Sequence, residues 1–417
     1  MASLSEHDHL FEVATTDEAR RKVEKPPKIS LDSVVHMAEK YFGLTVEEGG
    51  VKEIDSYDDR NYFISGYSKS SLAGTSDSRS STKYLFKIHN GVESSRMDQI
   101  DAQNAIMRHL NSHNITCPEP QTSVHGKVVE FVDLDISTTL QKEAVDVANK
   151  AKKSKGRRRH AIRLLSWVDG QTLNRSEVNL LKLQNVGEYL GKIKQCLEGF
   201  DHKGAHRIHL WDTKLTNLIR PYIETIDDPN VKEAVEQVVY EFEVQIMPKM
   251  DQFRQGVLQG DFNDANVIMA NETSNAISGV IDFGDMVYSN VVNDLTICMA
   301  YVMLNPPKSS TALQAACAVL KGFSRLYKLN EIERQSLRLL IACRLATSVT
   351  LGAFSISQDP TNVYLKLHAK PGRDGLISFW NLSPAKIESE FDAAIEGSRR
   401  QYNNAKYLSM IFESEKR

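Results

Sequence analysis

The stretch that decides the fold is Gln259-Gly260-Asp261-Phe262-Asn263-Asp264-Ala265-Asn266-Val267-Ile268, followed by Ser278-Gly279-Val280-Ile281-Asp282-Phe283-Gly284-Asp285. It predicts a tight turn that carries Asp261 and Asn266, then two short strands joined by a polar turn, and finally Asp-Phe-Gly. Phosphoryl transfer needs such groups: one carboxylate accepts the proton of the attacking hydroxyl, while an Asn oxygen and a second carboxylate hold magnesium against the phosphates. The hairpin places the oxygens of Asp261, Asn266 and Asp282 at one end of a small sheet.

The composition sets the broad class of protein. A chain of 417 residues with 41% hydrophobic and 25% charged residues forms one large two-lobed domain or two domains with an ample core. The net charge of -3 gives no case for nucleic acid or an anionic membrane as a partner. We see no apolar run long enough to span a bilayer and no secretory signal. The five scattered cysteines contain no CxxC pair and are typical of reduced thiols in an intracellular protein, so we expect a cytoplasmic location.

The first half predicts a small lobe of strands. Residues 1–30 are polar and charged, which predicts a flexible tail, and residues 31–165 are expected to form a nucleotide-binding lobe. Val51–Ile64 predicts a hairpin, and Lys83–Ile88 predicts a third strand. Kinases carry on this strand a lysine that pairs with the nucleotide phosphates, and Lys87 has that position. The structural alternative is a lysine at an exposed strand edge.

The turn of the first hairpin lacks the Gly-x-Gly-x-x-Gly pattern of a phosphate-covering lid. Asp58, Asp59 and Asn61 occupy it instead. Backbone amides in such a turn still cradle phosphate, but two acids there need a metal or a nearby base. We predict Asn61 as a nucleotide contact; the alternative is a solvated hairpin tip.

A helix over Met97–Leu110 follows the third strand. An acid on this helix is expected to pair with Lys87 and hold it in position. Asp101 is the first choice and Asp98 the second, and ordinary surface charge is the alternative for both.

Residues 133–160 read as an insertion in this lobe. It ends in Lys152-Lys153-Ser154-Lys155-Gly156-Arg157-Arg158-Arg159, the densest basic run of the chain. The run is compatible with a nuclear-import or nucleic-acid patch, but we favour a solvated loop between two strands, because nothing else in the chain indicates nucleic-acid recognition.

The apolar segment Ala161–Val168 predicts a strand that leads into the second lobe. Its backbone is expected to hydrogen-bond a purine edge, with Leu165 and Trp167 near the base, unless it is simply an edge strand that enters a helix. Residues 166–417 predict a helical lobe for catalysis and substrate binding. In that lobe Asp294 either caps the helix that begins near it or anchors the catalytic loop.

Several of these motifs together resemble the aminoglycoside phosphotransferase and choline kinase superfamily, from about Leu31 to the C-terminus. The resemblance rests on Lys87, the segment Ile162–Val168, Gly260-Asp261 with Asn266, and Ile281-Asp282-Phe283-Gly284-Asp285. Within the superfamily the chain most resembles the hydroxylysine kinases, in the runs Gly260–Asn266, Asp282–Met286, Ser56–Asp59 with Asn61, and Ala102–Asn104.

The resemblance implies an α+β, protein-kinase-like fold of two lobes, with a small N-terminal antiparallel sheet and a larger, mainly helical C-terminal lobe. It also implies a kinase that phosphorylates the side-chain hydroxyl of 5-hydroxy-L-lysine, with GTP favoured over ATP as donor, in lysine and hydroxylysine breakdown. By motif position Asp261 is the catalytic base, Asn266 and Asp282 hold Mg2+, and Lys87 contacts the phosphates with Asp101 beside it.

Two positions depart from the superfamily pattern. A histidine that holds the loop usually precedes Gly-Asp, and Gln259 takes its place here. The helix acid is usually Glu, and the side chain of Asp101 is shorter, which reduces its reach toward Lys87.

The implied substrate carries two ammonium groups and one carboxylate, which predicts acids in the helical lobe. Asp264, Asp285 and Asp212 are the candidates near the site, and a solvated acid is the alternative for each.

Other functions share parts of this pattern. A protein kinase has both motifs, but this chain lacks His-Arg-Asp, Ala-Pro-Glu and room for an activation loop after Asp285. Choline, ethanolamine, homoserine and aminoglycosides stay open as substrates. A non-catalytic pseudokinase is the competing class, and the intact Lys87, Asp261, Asn266 and Asp282 argue against it. The sequence leaves ATP versus GTP and the oligomeric state open.

Overall fold

The computed structural model describes residues 2–68, 81–135, 156–358 and 363–398. The chain divides into two compact units. The first is formed by Met1–Ser112 and Cys117–Val168, and the second by His113–Thr116 and Asp169–Arg417.

The first unit is built on an antiparallel five-stranded sheet with the strand order β1-β2-β3-β5-β4. Its strands are β1 Leu44–Ile54, β2 Arg60–Ser68, β3 Thr82–Ile88, β4 Glu130–Asp135 and β5 Arg157–Ser166. The predicted first hairpin and the predicted strand that carries Lys87 are therefore confirmed. The register places Asn61 opposite Lys87, and Lys87 opposite Arg163.

The two faces of this sheet have different roles, because successive side chains of a strand point to opposite faces. Tyr62, Phe86 and Leu164 are directly opposite one another and lie in a buried apolar cluster with the helix α2, Leu31–Phe42. The other face carries the intervening residues of the same strands, namely Asn61, Phe63, Leu85, Lys87, Arg163 and Leu165.

The prediction of a flexible tail at residues 1–30 is wrong for Ala2–Val23, which forms the helix α1. Ala14, Asp17, Glu18 and Arg21 of this helix are buried. The helix packs mainly through charged and polar contacts with the short helix α3, Gly91–Ser94, and its surroundings. A search for apolar periodicity does not detect such a helix, because its inner face is not apolar.

The basic run behaves as strand sequence where the structure describes it. Arg157, Arg158 and Arg159 are the first residues of β5 and lie opposite Asp135, Leu134 and Asp133 of β4. Arg158 donates to Val23 O at 2.9 Å, and the Arg159 guanidinium lies 4.3 Å from the Phe131 ring centre. Residues 136–155, and with them Lys152–Lys155, lie outside the described residues.

The second unit is mainly helical, as predicted. Its helices are α5 Leu180–Cys196, α6 Pro229–Glu241, α7 Asn293–Val302, α8 Ala312–Leu326, α9 Glu331–Gln358, α10 Val363–Trp380 and α11 384–398; a 3-10 segment covers Thr213–Thr225. Two small sheets carry the catalytic segments, with strands β6 Gln171–Thr172, β7 Gln255–Leu258, β8 Val267–Met269, β9 Ile277–Val280 and β10 Val287–Asn290. Residues 359–362 and 399–417 of the predicted helical lobe lie outside the described residues.

Helix α9 is long and apolar enough to cross a membrane by length and composition, which corrects the expectation that no such run exists. Its most apolar window has a mean hydropathy of 1.7 and is 78% buried inside the protein. Packing in the core of the second unit therefore accounts for its apolar character.

Candidate active site

The catalytic segments of the second unit meet on the hairpin that the sequence predicts. β8 and β9 pair antiparallel, with Val267 opposite Val280, and Ile281 N donates to Asn266 O at 2.9 Å. Asn266 and Asp282 therefore lie beside each other at one end of the hairpin. The side chain of Asn266 reaches Asp261, since its Nδ2 donates to Asp261 Oδ2 at 2.8 Å and to Asp261 O at 2.9 Å.

Three side chains hold the carboxylate of Asp261. Asn266 Nδ2 and Asn263 Nδ2 each donate to Oδ2 at 2.8 Å, and Arg344 Nη2 donates to Oδ1 at 2.6 Å. Burial raises the pKa of Asp261 to about 8, Arg344 opposes that rise, and the charges of Asp285 and Asp282 add to it. Once ionised, such a carboxylate is a stronger proton acceptor than an exposed aspartate.

Arg344 comes from the middle of α9 and was not predicted from the sequence. The side chain is buried, donates to Trp211 O at 3.0 Å, and has its guanidinium carbon 5.2 Å and 5.4 Å from the ring centres of Trp211 and Tyr301. Its Nε is buried without a hydrogen-bond partner among the described residues. A single arginine inside the apolar run Leu339–Ala346 is the signal that could have identified it, because an arginine is almost never buried unless paired.

Gln259 takes the structural role that the family usually gives to histidine. Its Oε1 accepts from Asp261 N at 2.8 Å, and its Nε2 donates to Ile281 O at 3.1 Å and also to Asp282 O. One buried side chain thus ties the Asp261 turn to the Asp282 segment. The departure from histidine keeps the scaffold and removes no reacting group.

The backbone at Gly260 and Asp282 is specialised. Gly260 has a φ of +88°, and a Cβ there would lie 2.1 Å from Asp285 O, so the turn requires glycine. Asp282 has a φ of +57°, in the left-handed region that is uncommon for a residue other than glycine. This backbone conformation at Asp-Phe-Gly sets the direction of the Asp282 side chain. Asp282 Oδ1 accepts a hydrogen bond from Gly284 N at 3.0 Å.

Asp294 anchors the catalytic loop, which decides between the two roles predicted for it. Its Oδ1 accepts from Gly260 N at 2.9 Å and its Oδ2 from Gln259 N at 3.1 Å, while α7 has no side-chain cap. Lys194 of α5 forms a buried ion pair with Asp294. The lysine follows the apolar face of α5 at helical spacing, a signal that the sequence analysis did not use.

The three acids predicted to contact substrate differ in their surroundings. Asp212 is buried, accepts from Ser289 Oγ at 2.6 Å and from Lys214 N at 3.0 Å, and so has a structural role as a cap. Burial by itself would raise the pKa of Asp285, but the charge of His209 holds that pKa well below its usual range. His209 Nε2 lies 3.0 Å from Asp285 Oδ1. Burial raises the pKa of Asp264 to about 6.

In the first unit the partner of Lys87 differs from the prediction. Lys87 Nζ lies 2.7 Å from Asp59 Oδ2, and both side chains are largely buried. Asp101 is exposed on α4, Met97–Ser112, and forms no ion pair with the described residues. The inner face of α4 offers amides instead, since Gln103 and Asn104 accept from Arg163. Pairing of Asp101 with Lys87 is therefore corrected to pairing of Asp59 with Lys87.

Of the other predicted nucleotide contacts, Asn61 and Leu165 lie on the same sheet face as Lys87, and Trp167 directly follows the end of β5. The side-chain oxygen of Asn61, directly opposite Lys87, is buried without a hydrogen-bond partner among the described residues. The Trp167 ring meets the Phe63 ring edge to face, with centres 5.0 Å apart, whereas Leu165 is buried. Ser166 N and Trp167 N already donate to Glu119 O and Lys83 O, so those two amides are not open to a purine.

An Asp-x-x-x-x-Asn loop and an Asp-Phe-Gly turn on one hairpin, with a lysine in the third strand of a five-stranded sheet, define a kinase-type phosphotransferase that acts on a hydroxyl group. The chain belongs to the phosphotransferase enzyme family, whose model matches residues 50–340.

Curated relatives extend this likeness over most of the chain. It is 26% identical to hydroxylysine kinase of Xenopus laevis over 375 residues, which cover 87% of this chain and 92% of that protein. It is 27% identical to hydroxylysine kinase of Bos taurus, with 87% and 92% covered. The resemblance to hydroxylysine kinases within the superfamily is confirmed.

Solved structures confirm the predicted α+β, protein-kinase-like fold class. An amicoumacin kinase in complex with AMP-PNP, Ca2+ and amicoumacin aligns with a TM-score of 0.59 at 16% identity, over 84% of this chain and 94% of that one. A microcompartment-associated aminopropanol kinase aligns with a TM-score of 0.51 at 11% identity, over 88% and 98%.

The residues present fit a divalent cation. Asn266 donates hydrogen bonds with its Nδ2, and its side-chain oxygen Oδ1 has no donor among the described residues. Asp282 Oδ2 likewise accepts nothing from the described part of the chain. One amide oxygen and one carboxylate oxygen are the hard ligands that Mg2+ takes in nucleotide sites.

Proposed function

We propose that this protein transfers the terminal phosphate of a purine nucleoside triphosphate to the side-chain hydroxyl of 5-hydroxy-L-lysine in a magnesium-dependent reaction. The observation that carries the proposal is the complete Asp261, Asn266 and Asp282 set on one hairpin, in a chain whose curated relatives are hydroxylysine kinases over nearly their whole length. GTP is the preferred donor we propose, with ATP as the alternative, and the cytoplasm is the proposed location.

The cation and its nucleotide supply neutralisation of phosphate charge and an activated phosphoryl group. Asn266 and Asp282 are the residues that would hold the cation. Lys87 would contact the phosphates and Asn61 the nucleotide. The negative charge of Asp282 contributes to the raised pKa of Asp261, and this contribution would be smaller with Asp282 bound to a cation.

Asp261 orients the substrate hydroxyl and accepts its proton at Oδ1, which has a single donor, Arg344 Nη2, among the described residues. Asn263, Asn266 and Arg344 fix the rotamer of Asp261, so the oxygen is in place before substrate arrives. Gln259 and Asp294 fix the backbone of the same turn. Most of the rate enhancement is then positioning and charge neutralisation.

Asp285 and Asp264 are the acids we propose for the ammonium groups of the substrate. Asp285 is ionised beside His209 and its side chain is 31% exposed, so it reaches solvent. Asp212 is not proposed, because its carboxylate is buried and committed to Ser289 and Lys214.

The test is a coupled phosphoryl-transfer assay with Mg2+. Hydroxylysine, choline, ethanolamine, homoserine and kanamycin are each offered with ATP and with GTP. Asp261→Ala is the inactive variant, and Asp251→Ala, at an exposed aspartate outside the site, is the matched control. We expect turnover of hydroxylysine that is lost in Asp261→Ala and kept in Asp251→Ala.

Each other outcome changes a defined part of the proposal. Turnover of a different acceptor keeps the mechanism and removes the substrate. No turnover of any acceptor, with nucleotide still raising the melting temperature, supports a nucleotide-binding pseudokinase.

A further inference from the structure

Lys87 is held by an acid from an unexpected place in the chain. Asp59 lies in the turn between β1 and β2, and its Oδ2 is 2.7 Å from Lys87 Nζ. Its Oδ1 accepts from Asn90 N at 2.7 Å. Although burial opposes it, the charge of Lys87 holds the pKa of Asp59 below its usual range, so the acid is ionised at neutral pH. A carboxylate fixed from two sides restricts the flexible lysine side chain.

The β1–β2 turn that carries Asp59 is held in place by α1 and by the residues that follow this helix. Lys22 Nζ lies 3.5 Å from Asp58 and 3.7 Å from the centre of the Tyr57 ring. Lys25 Nζ donates to Tyr57 O at 2.8 Å. Asn90 Nδ2 donates to Arg21 O at 2.8 Å. Asn90 therefore contacts α1 through its side chain and Asp59 through its backbone N–H.

α1 is also attached to the segment that follows Lys87. Arg21 forms a buried ion pair with Glu93 of α3, and Arg96 Nη2 donates to Asp17 at 2.8 Å. Gly91 N donates to Glu24 O at 3.0 Å, and a Cβ at Gly91 would lie 2.5 Å from Glu24 Oε2. The helix therefore spans both segments that position Lys87: the Asp59 turn and the start of α3.

Asp59 and Glu93, together with His89, could be taken for a metal site, because possible ligand atoms of the three residues lie within 4.8 Å of one another. The surrounding charges argue against a cation. Lys87 pairs with Asp59, Arg21 pairs with Glu93, and Arg163 Nε donates to His89 Nε2 at 2.9 Å. Each of the three candidate ligand residues already pairs with a basic side chain. The positive charges of these side chains would repel a divalent cation.

We propose that Asp59, and not the helix acid Asp101, positions Lys87 for the nucleotide phosphates, and that α1 belongs to the nucleotide-binding machinery because it fixes the Asp59 turn. This inference rests on the proposed function, in which Lys87 contacts phosphate. Asp59 acts through Lys87 and is a positioning residue.

The experiment compares Asp59→Asn with Asp101→Asn, a matched change at the exposed acid. Nucleotide affinity is measured by calorimetry with Mg2+ and a non-hydrolysable ATP or GTP analogue, beside kcat and the KM values of nucleotide and hydroxylysine. We expect Asp59→Asn to weaken nucleotide binding on the order of 10- to 100-fold, with the KM of hydroxylysine changed less than threefold, since it removes one charge-assisted contact of Lys87. Asp101→Asn is expected to stay within twofold of wild type.

Two further variants keep the test decisive if Asp59→Asn folds poorly. Asp59→Glu restores the charge and should recover part of the affinity. Lys22→Met removes a partly exposed contact to the turn and should weaken nucleotide binding about threefold without changing hydroxylysine KM. Equal or tighter nucleotide binding in Asp59→Asn overturns the inference alone. Failure of the wild-type protein to bind nucleotide overturns the proposed function together with it.

Discussion

At the residue scale, Arg344 is the group through which the helical unit acts on the reacting carboxylate. It donates to Asp261 at 2.6 Å and to Trp211 O at 3.0 Å, and the arginine side chain itself is buried. A lysine has one point of charge and cannot reproduce a planar fork that reaches two acceptors. Loss of the arginine therefore changes both the charge and the orientation of Asp261.

We expect Arg344→Met to lower kcat about 100- to 1,000-fold, because a misplaced base loses positioning and charge control together. Arg344→Lys should lie between Met and wild type, and guanidinium added to Arg344→Ala should restore part of the rate. Arg334→Met, at a more exposed position of the same helix, is the control. A loss of melting temperature with kcat unchanged would show that Arg344 is structural only.

His89 gives the protein a pH-dependent stability. Burial, and then the charge of Arg163, lowers the pKa of His89 well below its usual value, and its Nε2 must stay neutral to accept from Arg163. Below about pH 6.5 the unfolded chain binds a proton that the folded chain refuses, so stability falls as the pH falls. The contribution lost between pH 7 and pH 5 is at most about 2 kcal/mol, the limit for a histidine that stays neutral in the folded state over this range.

His89→Gln should flatten this profile, because glutamine still accepts from Arg163 but does not titrate. Urea unfolding of both proteins at pH 7 and pH 5 measures it. We expect the stability advantage of wild type to shrink by up to about 2 kcal/mol at the lower pH. Parallel loss in both proteins would show that other groups cause the acid sensitivity.

At the element scale, two glycines let α5 and α8 approach closely. A Cβ at Gly322 would lie 1.8 Å from Gln184 O, and a Cβ at Gly187 would lie 1.9 Å from Val319 O. These neighbours are backbone atoms, so an added methyl group must push the helices apart. Gly352 in α9 has no atom within 4 Å of an added Cβ.

Gly322→Ala should therefore lower the free energy of unfolding by about 1–3 kcal/mol, while Gly352→Ala should raise it by about 0.5–1 kcal/mol through lower backbone entropy of the unfolded chain. Chemical denaturation with unchanged m values checks both. If the two substitutions act alike, the close helix contact is not as the structure has it.

The sequence predicted the elements whose pattern is local and apolar. The strand with Lys87, the catalytic hairpin and α4 have a local pattern and were predicted. The partner of Lys87 was not, because the family pattern points to the helix after β3, whereas Asp59 comes from a turn 28 positions before Lys87 (87 minus 59) and is brought to it by strand pairing. α1 was missed for a related reason: charged pairs such as Arg21 with Glu93 bury its polar face.

At the scale of the whole molecule, the buried charges connect distant parts of the chain. Asp294 and Lys194 are 100 positions apart, and Arg344 and Asp261 are 83 apart. No local pattern predicts such pairs, although a lone base on an apolar helix face indicates that a partner exists. The apolar core sets the elements in place, and these pairs then set the catalytic loop within the second unit.

Cysteines beside these pairs report on opening of the whole fold. Cys298 of α7 and Cys343 of α9 are 1% and 0% exposed, and burial raises the pKa of both thiols, so they react after opening. If opening is global and reclosing is fast, nucleotide with Mg2+ at 100 times its Kd should slow their labelling about 100-fold, because ligand binds the folded state and depletes the open one. The partly exposed Cys196 should be slowed far less. Site-resolved mass spectrometry after iodoacetamide pulses measures all three thiols. Equal slowing at Cys196 would indicate a direct effect on the reagent, and no slowing at Cys298 and Cys343 would show that these thiols open locally, without unfolding of the nucleotide-binding fold.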